Sequence, residues 1–483
     1  MIRSWSPLQT NVFNFAESGE GNAIVEAVAG SGKTTTIVEA LKRVTGSTLF
    51  LAFNKSIATE LKNRGVNART FHSLTYSAVT RHKNVRDVNG DKLRDLVDGM
   101  MTEKDAKMYG RFACRLVSLA KQVGIGIWTE IDQVMVWRDL VDHFDLELDD
   151  EKASYSTAVE YAQALLEKSN ASHEVDFDDL LYVAVRDGLV LPKFDFVFVD
   201  EAQDTNALQR AILRKVMKPG ARLIAVGDPA QAIYGFRGAD SESLATMAKE
   251  FACIRLPLTV SYRCPTAIVE HARQWVSHIE AAPNAPAGEV RYMGTEFTPA
   301  TFQPQDLVVC RTAKPLVSLA FQLFKARVPA HIMGREIGQG LKALIARMRA
   351  GDDVKLLTQK LTTWTEREVE KARAKNKEDK AENIQDKTDC IMCIIDGLDE
   401  DKFTVAGLLA VIDSMFAERS HAVHLATIHK AKGLEAKRVF WLNSSQCPSK
   451  RARQPWEQQQ ERNLCYVATT RAMETLILIE MPQ

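Results

Sequence analysis

The sequence predicts an α/β protein built from two parallel-sheet cores in tandem, each interrupted by a mostly helical insertion. Three observations carry that expectation. An apolar run, Ala23–Val28, feeds a glycine-rich turn and then a helix start. Two more apolar runs, Phe194–Val199 and Leu223–Val226, read as buried strands of the same sheet. Far downstream, Asp306–Cys310, Val423–Thr427, Arg438–Leu442 and Leu476–Ile479 form a separate set of strands, which implies a second core. At 483 residues the chain is also longer than one hydrophobic core supports.

The first element is Ala27-Val-Ala-Gly-Ser-Gly-Lys-Thr34. A strand, a glycine-rich turn and a helix N-terminus together make a phosphate cradle. The turn's N–H groups point inward and the helix dipole favours anions. Ala29, Gly30, Ser31, Gly32, Lys33, Thr34 and Thr35 are therefore the expected nucleoside-triphosphate contacts. Lys33 reaches the β/γ-phosphates and Thr34 ligates Mg²⁺. Ala27 stands where the pattern usually has its first glycine, while Gly30, Gly32 and the Lys-Thr pair are intact.

The second element is the strand Phe194–Val199, which delivers Asp200 and Glu201 at its C-terminal end, where open α/β sheets place ligands. Two adjacent carboxylates can divide the labour. Asp200 is expected to hold the metal shell, and Glu201 to orient and deprotonate the attacking water. The third element, Val226-Gly-Asp-Pro-Ala-Gln231-Ala-Ile-Tyr234-Gly-Phe236-Arg237, follows another apolar run. Gln231 can sense a γ-phosphate through its amide. Tyr234, Phe236 and Arg237 offer two aromatic faces and a guanidinium, the set that stacks unpaired bases and touches their phosphates.

Together these segments resemble the UvrD/Rep-type superfamily 1 DNA helicases, and further segments resemble that family's motif series in order. Ser6-Pro-Leu-Gln9 resembles the adenine-reading glutamine motif. Leu51-Ala-Phe53-Asn54-Lys55 and Thr70-Phe-His72-Ser73 resemble two strand-contacting motifs. Leu258-Thr-Val-Ser-Tyr262-Arg263 resembles the motif whose tyrosine stacks on adenine and whose arginine meets the γ-phosphate. Thr427-Ile-His429-Lys-Ala-Lys-Gly433-Leu-Glu435 and Tyr466-Val-Ala-Thr-Thr-Arg471 resemble the last two. The resemblance runs from Gln9 to Arg471. It implies RecA-like cores, ATP and Mg²⁺ as cofactors, and 3′–5′ movement on single strands. Lys33, Glu201, Gln231, Arg263 and Arg471 become the catalytic set. Gln9, Tyr262, Gly433 and Glu435 join the nucleotide contacts. Phe53, Asn54, Lys55, His72 and His429 join Tyr234, Phe236 and Arg237 as DNA contacts. Two departures stand out. Phe53 and Asn54 are adjacent where relatives usually have a residue between them, a spelling closer to the F-box-type and phage-like branch. Phe236 replaces a common Trp.

The expected division is 1–74 for the ATP-binding part of the first core, 75–172 for a helical insertion, and 173–255 for the return to that core. The second core follows over 256–339, a short insertion over 340–421, and its return over 422–483. Asp176-Phe-Asp-Asp-Leu180 marks re-entry into the first core, and Lys371–Lys380 is a mixed charge run of the kind found on solvated helices. Lys plus Arg and Asp plus Glu both total 62, so bulk charge says nothing about nucleic acid and any such site is a local groove. The N-terminal residues lack a signal peptide's apolar core and no run reaches membrane-spanning length. Of eight cysteines only Cys390 and Cys393 are close, without a second pair at zinc spacing, so they read as core residues of a reducing compartment. These readings give a cytoplasmic protein, and the resemblance implies a nucleoid-associated monomer with single-stranded and tailed duplex DNA as partners, beside replication, recombination or repair proteins. The competing readings are a translocase that strips proteins from single strands, and a single-strand-stimulated ATPase switch in a repair or defence complex.

Overall fold

The computed structural model describes residues 5–144, 146, 148, 152–233, 243–374, 378–398, 403–417, 419, 421–450, 452 and 454–481. They divide into two units. One holds the chain up to Ala27 together with Gly32–Leu258; the other holds Val28–Ser31 together with the chain from Thr259 onward.

The first unit is organised by a six-stranded parallel sheet. Its strands are β1 (Asn22–Ala27), β2 (Thr48–Leu51), β3 (Ala68–Arg69), β4 (Phe194–Val199), β5 (Met217–Gly227) and β6 (Cys253–Leu258), in the order β3-β2-β4-β5-β1-β6. Side chains alternate across a strand, and both faces of this sheet are apolar. Leu49, Leu51, Val197 and Val199 join one core cluster, whereas Phe50 and Phe198 join Val12, Phe13 and Ile37 in the other. The first cluster is shared with the helices Arg111–Val123, Val134–His143 and Tyr155–Ala171 through Leu116, Val117, Trp137, Leu165 and Leu166. The helical stretch between β3 and β4 therefore does not stand apart from the sheet; it completes the sheet's hydrophobic face.

Charge is buried in the same place. Lys121 Nζ lies 2.7 Å from both Asp176 and Asp179, and Lys92 Nζ lies 2.6 Å from Asp179 while donating to the Ser169 carbonyl at 2.8 Å. Lys92, Lys121 and Asp179 are all essentially inaccessible to solvent. Burial favours a neutral Asp179, but Lys121 and Lys92 outweigh it and hold the carboxyl below the usual range.

The second unit repeats the theme. A short parallel pair, β7 (Val260–Ser261) and β8 (Glu280–Ala281), precedes a second six-stranded sheet. Its strands are β9 (Glu289–Gly294), β10 (Leu307–Cys310), β11 (Ala330–Ile332), β12 (Val423–Thr427), β13 (Ala436–Leu442) and β14 (Ala472–Ile479). They are ordered β11-β12-β10-β13-β14-β9, all pairs parallel. Val308, Leu425, Phe440 and Ile477 from the sheet pack in one core with Leu357, Leu361, Ile391, Ile394, Leu408 and Ile412 from the helices Val354–Ala374, Glu378–Asp396 and Val405–Met415. Cys390 is buried in that core and Cys393, one turn on, is half-buried. The charged run Lys371–Lys380 starts in the last turn of Val354–Ala374 and passes through residues outside the described set. Among the described residues no helix is long and apolar enough to cross a membrane.

Candidate nucleotide and nucleic-acid site

Because every pair in the first sheet is parallel, the C-terminal ends of β1 to β5 share one edge, the edge at which open α/β sheets hold ligands. Within the first unit, Gly32–Thr35, Phe53–Lys55, Thr70–His72, Asp200–Glu201 and Asp228–Gln231 all emerge there. Ala27 ends β1 as a buried strand residue, so that position does not need the freedom of a glycine. Gly32 does: it caps the helix Lys33–Leu41 at φ 77°, a left-handed conformation.

Lys33 and Thr34 open this helix and face the carboxylates at the end of β4. Thr34 donates its hydroxyl to Asp200 Oδ2 at 2.6 Å, and Lys33 Nζ lies 3.8 Å from Glu201 Oε1. Burial, and then the neighbouring Glu201, push the Asp200 carboxyl up to about 6, with Thr34 and Lys33 pulling the other way. Glu201 sits at φ 51°, a backbone conformation uncommon for a non-glycine residue and one that clusters at functional sites. A hydroxyl and a buried carboxylate are hard oxygen donors, so this pair fits Mg²⁺. Gln231 is buried and donates from Nε2 to Asp228 Oδ2 at 2.7 Å. Asp228 is itself pushed toward its neutral form by burial. Thr35 is half-buried beside Thr34. Gln9 is buried next to the same helix, donating to Thr36 Oγ1 at 3.0 Å and accepting from the Ser6 N–H at 3.1 Å.

The expected DNA contacts of this unit lie on the same edge. Phe53 is 47% exposed, a large aromatic face turned to solvent directly after β2. Asn54 caps the helix Lys55–Asn63 by accepting from the Ile57 N–H, and Lys55 is exposed. His72 lies in the first turn of Phe71–Lys83, where burial lowers its pKa and leaves it neutral at pH 7. Tyr234, Phe236 and Arg237 lie outside the described residues.

In the second unit, Val28–Ser31 runs alongside the start of the second core and the helix Pro455–Thr469. The Ala29 N–H donates to the Tyr466 hydroxyl at 2.9 Å, and the Tyr262 N–H donates to the Gly30 carbonyl at 2.9 Å. Gly30 has φ 72°, and a Cβ there would lie 2.5 Å from Arg263 Cβ, so both backbone and space require glycine. Ser31 Oγ is buried with no hydrogen-bond partner among the described residues, an acceptor or donor suited to a phosphate oxygen. The Tyr262 ring is about half exposed, and Arg263 Nε pairs with Glu435 at 2.7 Å. Gly433 has φ 87° with open space around it, and His429 is half-buried in the short helix Ile428–Ala431. Arg471 is buried and donates to the carbonyls of Val467 and Leu434 at 3.0 and 3.1 Å.

Each unit thus assembles part of the expected set. Lys33, Thr34, Asp200, Glu201 and Gln231 come together in the first. Ala29, Gly30, Tyr262, Arg263 and Glu435 come together in the second. Sequence reasoning passed over Gln203, Asp228 and Tyr466 as site residues, although Asp228 and Tyr466 lie inside quoted motifs and Gln203 lies two residues past Glu201. Their buried polar partners were invisible without the fold.

A helix that opens on Gly32, Lys33 and Thr34 opposite Asp200 and a left-handed Glu201, in a chain with two parallel-sheet units, defines a P-loop nucleotide-binding protein with two RecA-like cores. The chain belongs to the UvrD/REP helicase family. The UvrD/REP helicase N-terminal domain matches residues 8–252, and the UvrD-like helicase C-terminal domain matches residues 422–479. Among similar proteins, the probable DNA helicase II homolog of Mycoplasma pneumoniae is 26% identical over 303 residues, covering 56% of this chain and 42% of that protein. The putative ATP-dependent DNA helicase YjcD of Bacillus subtilis is 26% identical over 297 residues, 55% and 38% of the two chains. The F-box DNA helicase protein 1 of Schizosaccharomyces pombe is 24% identical over 512 aligned positions, covering 94% of this chain and 55% of that protein. The chain spans about half, or less, of the length of these relatives.

Proposed function

We propose that the chain is a DNA-stimulated ATPase that moves 3′ to 5′ along single-stranded DNA and unwinds duplex. The observation that carries this is the Lys33–Thr34–Asp200–Glu201 arrangement at one sheet edge, which has the parts that hydrolysis of a nucleoside triphosphate needs. In this reading Lys33 and the cradle N–H groups bind the β/γ-phosphates. Glu201 takes a proton from water as the water oxygen bonds to the γ-phosphorus and the bond to the ADP oxygen breaks. Thr34 and Asp200 would hold Mg²⁺, which would supply charge neutralisation at the phosphate oxygens. Arg263 and Arg471 are read as γ-phosphate contacts, Gln9 and Tyr262 as adenine contacts, and Gly433 and Glu435 as further nucleotide contacts. Phe53, Asn54, Lys55, His72, Tyr234, Phe236, Arg237 and His429 form the single-strand track. The segments 75–172 and 340–421 are read as insertions into the two cores, and the chain is read as a cytoplasmic monomer.

Strand displacement on 3′-tailed and 5′-tailed duplexes tests the proposal. Unwinding only from the 3′ tail supports it, and unwinding only from the 5′ tail overturns the polarity. ATPase stimulation and movement without unwinding would favour the protein-stripping translocase, and stimulation without movement the ATPase switch.

A further inference from the structure

The Glu201 carboxylate and the Asp228–Gln231 turn are joined by one side chain. Gln203 is buried, donates its amide Nε2 to Glu201 Oε2, and accepts the Asp228 backbone N–H on Oε1 at 3.1 Å. Asp228 in turn accepts the Ala230 N–H at 3.0 Å and the Gln231 amide at 2.7 Å. The space for this link is made by Gly227 at the end of β5. A Cβ there would lie 2.5 Å from Gln203 Oε1 and 3.0 Å from the Gln203 backbone nitrogen. The backbone at Glu201, held left-handed at φ 51°, turns the chain so that residues 201 and 203 face the same side.

We propose that Gln203 is a positioning residue that couples the attacking-water carboxylate to the strand-binding segment. Its amide suits that task, because its NH₂ end donates to a carboxylate while its carbonyl end accepts a backbone N–H. Any displacement of the Asp228–Gln231 turn shifts the acceptor side of Gln203 and with it the donor that fixes Glu201. The chain continues from this turn into Tyr234, Phe236 and Arg237, so occupancy of a single strand there changes the orientation of Glu201. The inference rests on the proposed function, since it presumes that single-stranded DNA stimulates hydrolysis.

The test compares wild type with Gln203→Met, which keeps length and burial and loses both hydrogen bonds. Gln203→Asn is a second variant that keeps a polar amide too short to span the gap, should the first fail to fold. Steady-state ATPase is measured with and without oligo(dT), alongside ATP KM, oligo(dT) Kd and Tm. The expected result is a fall of about tenfold in the DNA-stimulated kcat, as for loss of one charged hydrogen bond. Basal kcat falls by a smaller factor, because Gln203 also holds Glu201 without DNA, while KM, Kd and Tm change little, so the ratio of stimulated to basal rate drops. A purely structural role would lower Tm and both rates together. A variant whose stimulation ratio matches wild type overturns the coupling role. Absence of stimulation in wild type itself would instead overturn the reading beneath it. Combining Gln203→Met with Gln231→Ala adds a further check. Effects on the stimulation ratio that are no larger together than apart support a single relay, and additive effects overturn it.

Discussion

Lys33 Nζ stands 3.8 Å from Glu201 Oε1, so the cation proposed to bind phosphate and the carboxylate proposed to activate water are neighbours. The two should separate cleanly under mutation. Lys33→Ala removes a phosphate contact and is expected to weaken ATP binding as well as abolish turnover. Glu201→Gln removes the base and leaves the phosphate and metal contacts, so ATP should stay bound and unhydrolysed. Equilibrium binding of a fluorescent ATP analogue beside single-turnover hydrolysis checks both, and near-normal turnover by Glu201→Gln would refute its role.

Arg263 and Arg471 differ in setting, and their Lys variants should differ with them. Lysine keeps the charge and loses the planar fork. Arg263 is partly exposed and paired with Glu435, so Arg263→Lys is expected to fold normally and to lower kcat by about 10³-fold with little change in ATP KM. Arg471 is buried and holds the carbonyls of Val467 and Leu434, so Arg471→Lys should lower Tm in addition to kcat. Kinetics with parallel thermal melts distinguish the two.

Single-stranded DNA binding should weaken with salt, by about 0.7 per phosphate contact on logarithmic axes. His72 is neutral at pH 7 because burial lowers its pKa, so it adds nothing to that slope. Lys55 is exposed and charged. Lys55→Ala is therefore expected to flatten the salt dependence of binding, and His72→Gln to leave it unchanged, as read by anisotropy titrations from low to moderate salt.

The buried cluster around Lys121 gives a stability prediction with a defined sign. Asp179 has a depressed folded pKa, so its stabilising share is present above the unfolded value of 3.8 and is lost as pH falls through the lower folded value. Asp176 shifts the other way, raised chiefly by burial against the pull of Lys121. Lys121→Met leaves Asp176 without its cation and Asp179 with Lys92 alone, and should cost about 3–5 kcal/mol at pH 7. The deficit should narrow as pH falls from 7 toward 4, because without Lys121 burial favours the neutral carboxyls and the folded variant takes up protons there. Urea unfolding of wild type and variant at pH 7 and pH 4 measures it; an equal deficit at both would contradict the charge argument.

The phosphate turn and the strands β1, β4, β5, β10, β12, β13 and β14 were legible because their information is local. A turn after an apolar run, or an Asp-Glu pair after Val199, can be read without knowing what lies opposite. Residues that act through distant partners could not be read that way. Lys92 and Lys121 belong to a stretch read only as a helical insertion, and both are buried. Gln203 reads as one polar residue in a turn until β5 brings Asp228 beside it. Tyr466 lies in a recognised motif, yet its hydroxyl on the Ala29 N–H joins positions 437 residues apart.

The position of β1 has a consequence for synthesis. β1 carries the chain into the phosphate turn, and its two neighbours in the sheet are β5 and β6, with Ala23 opposite Ile224 and Asn22 opposite Cys253. At ordinary translation speeds the ribosome needs on the order of 10–50 s to make the intervening chain. Throughout that interval Ile24 and Val25 have no strand on either side. The nascent first core thus carries an apolar segment with open backbone edges, the kind of surface that chaperones bind and that aggregates when they do not. Slow elongation through residues 200–250 would lengthen that exposure, so synonymous codon choice in this stretch should affect soluble yield while leaving the folded protein unaltered.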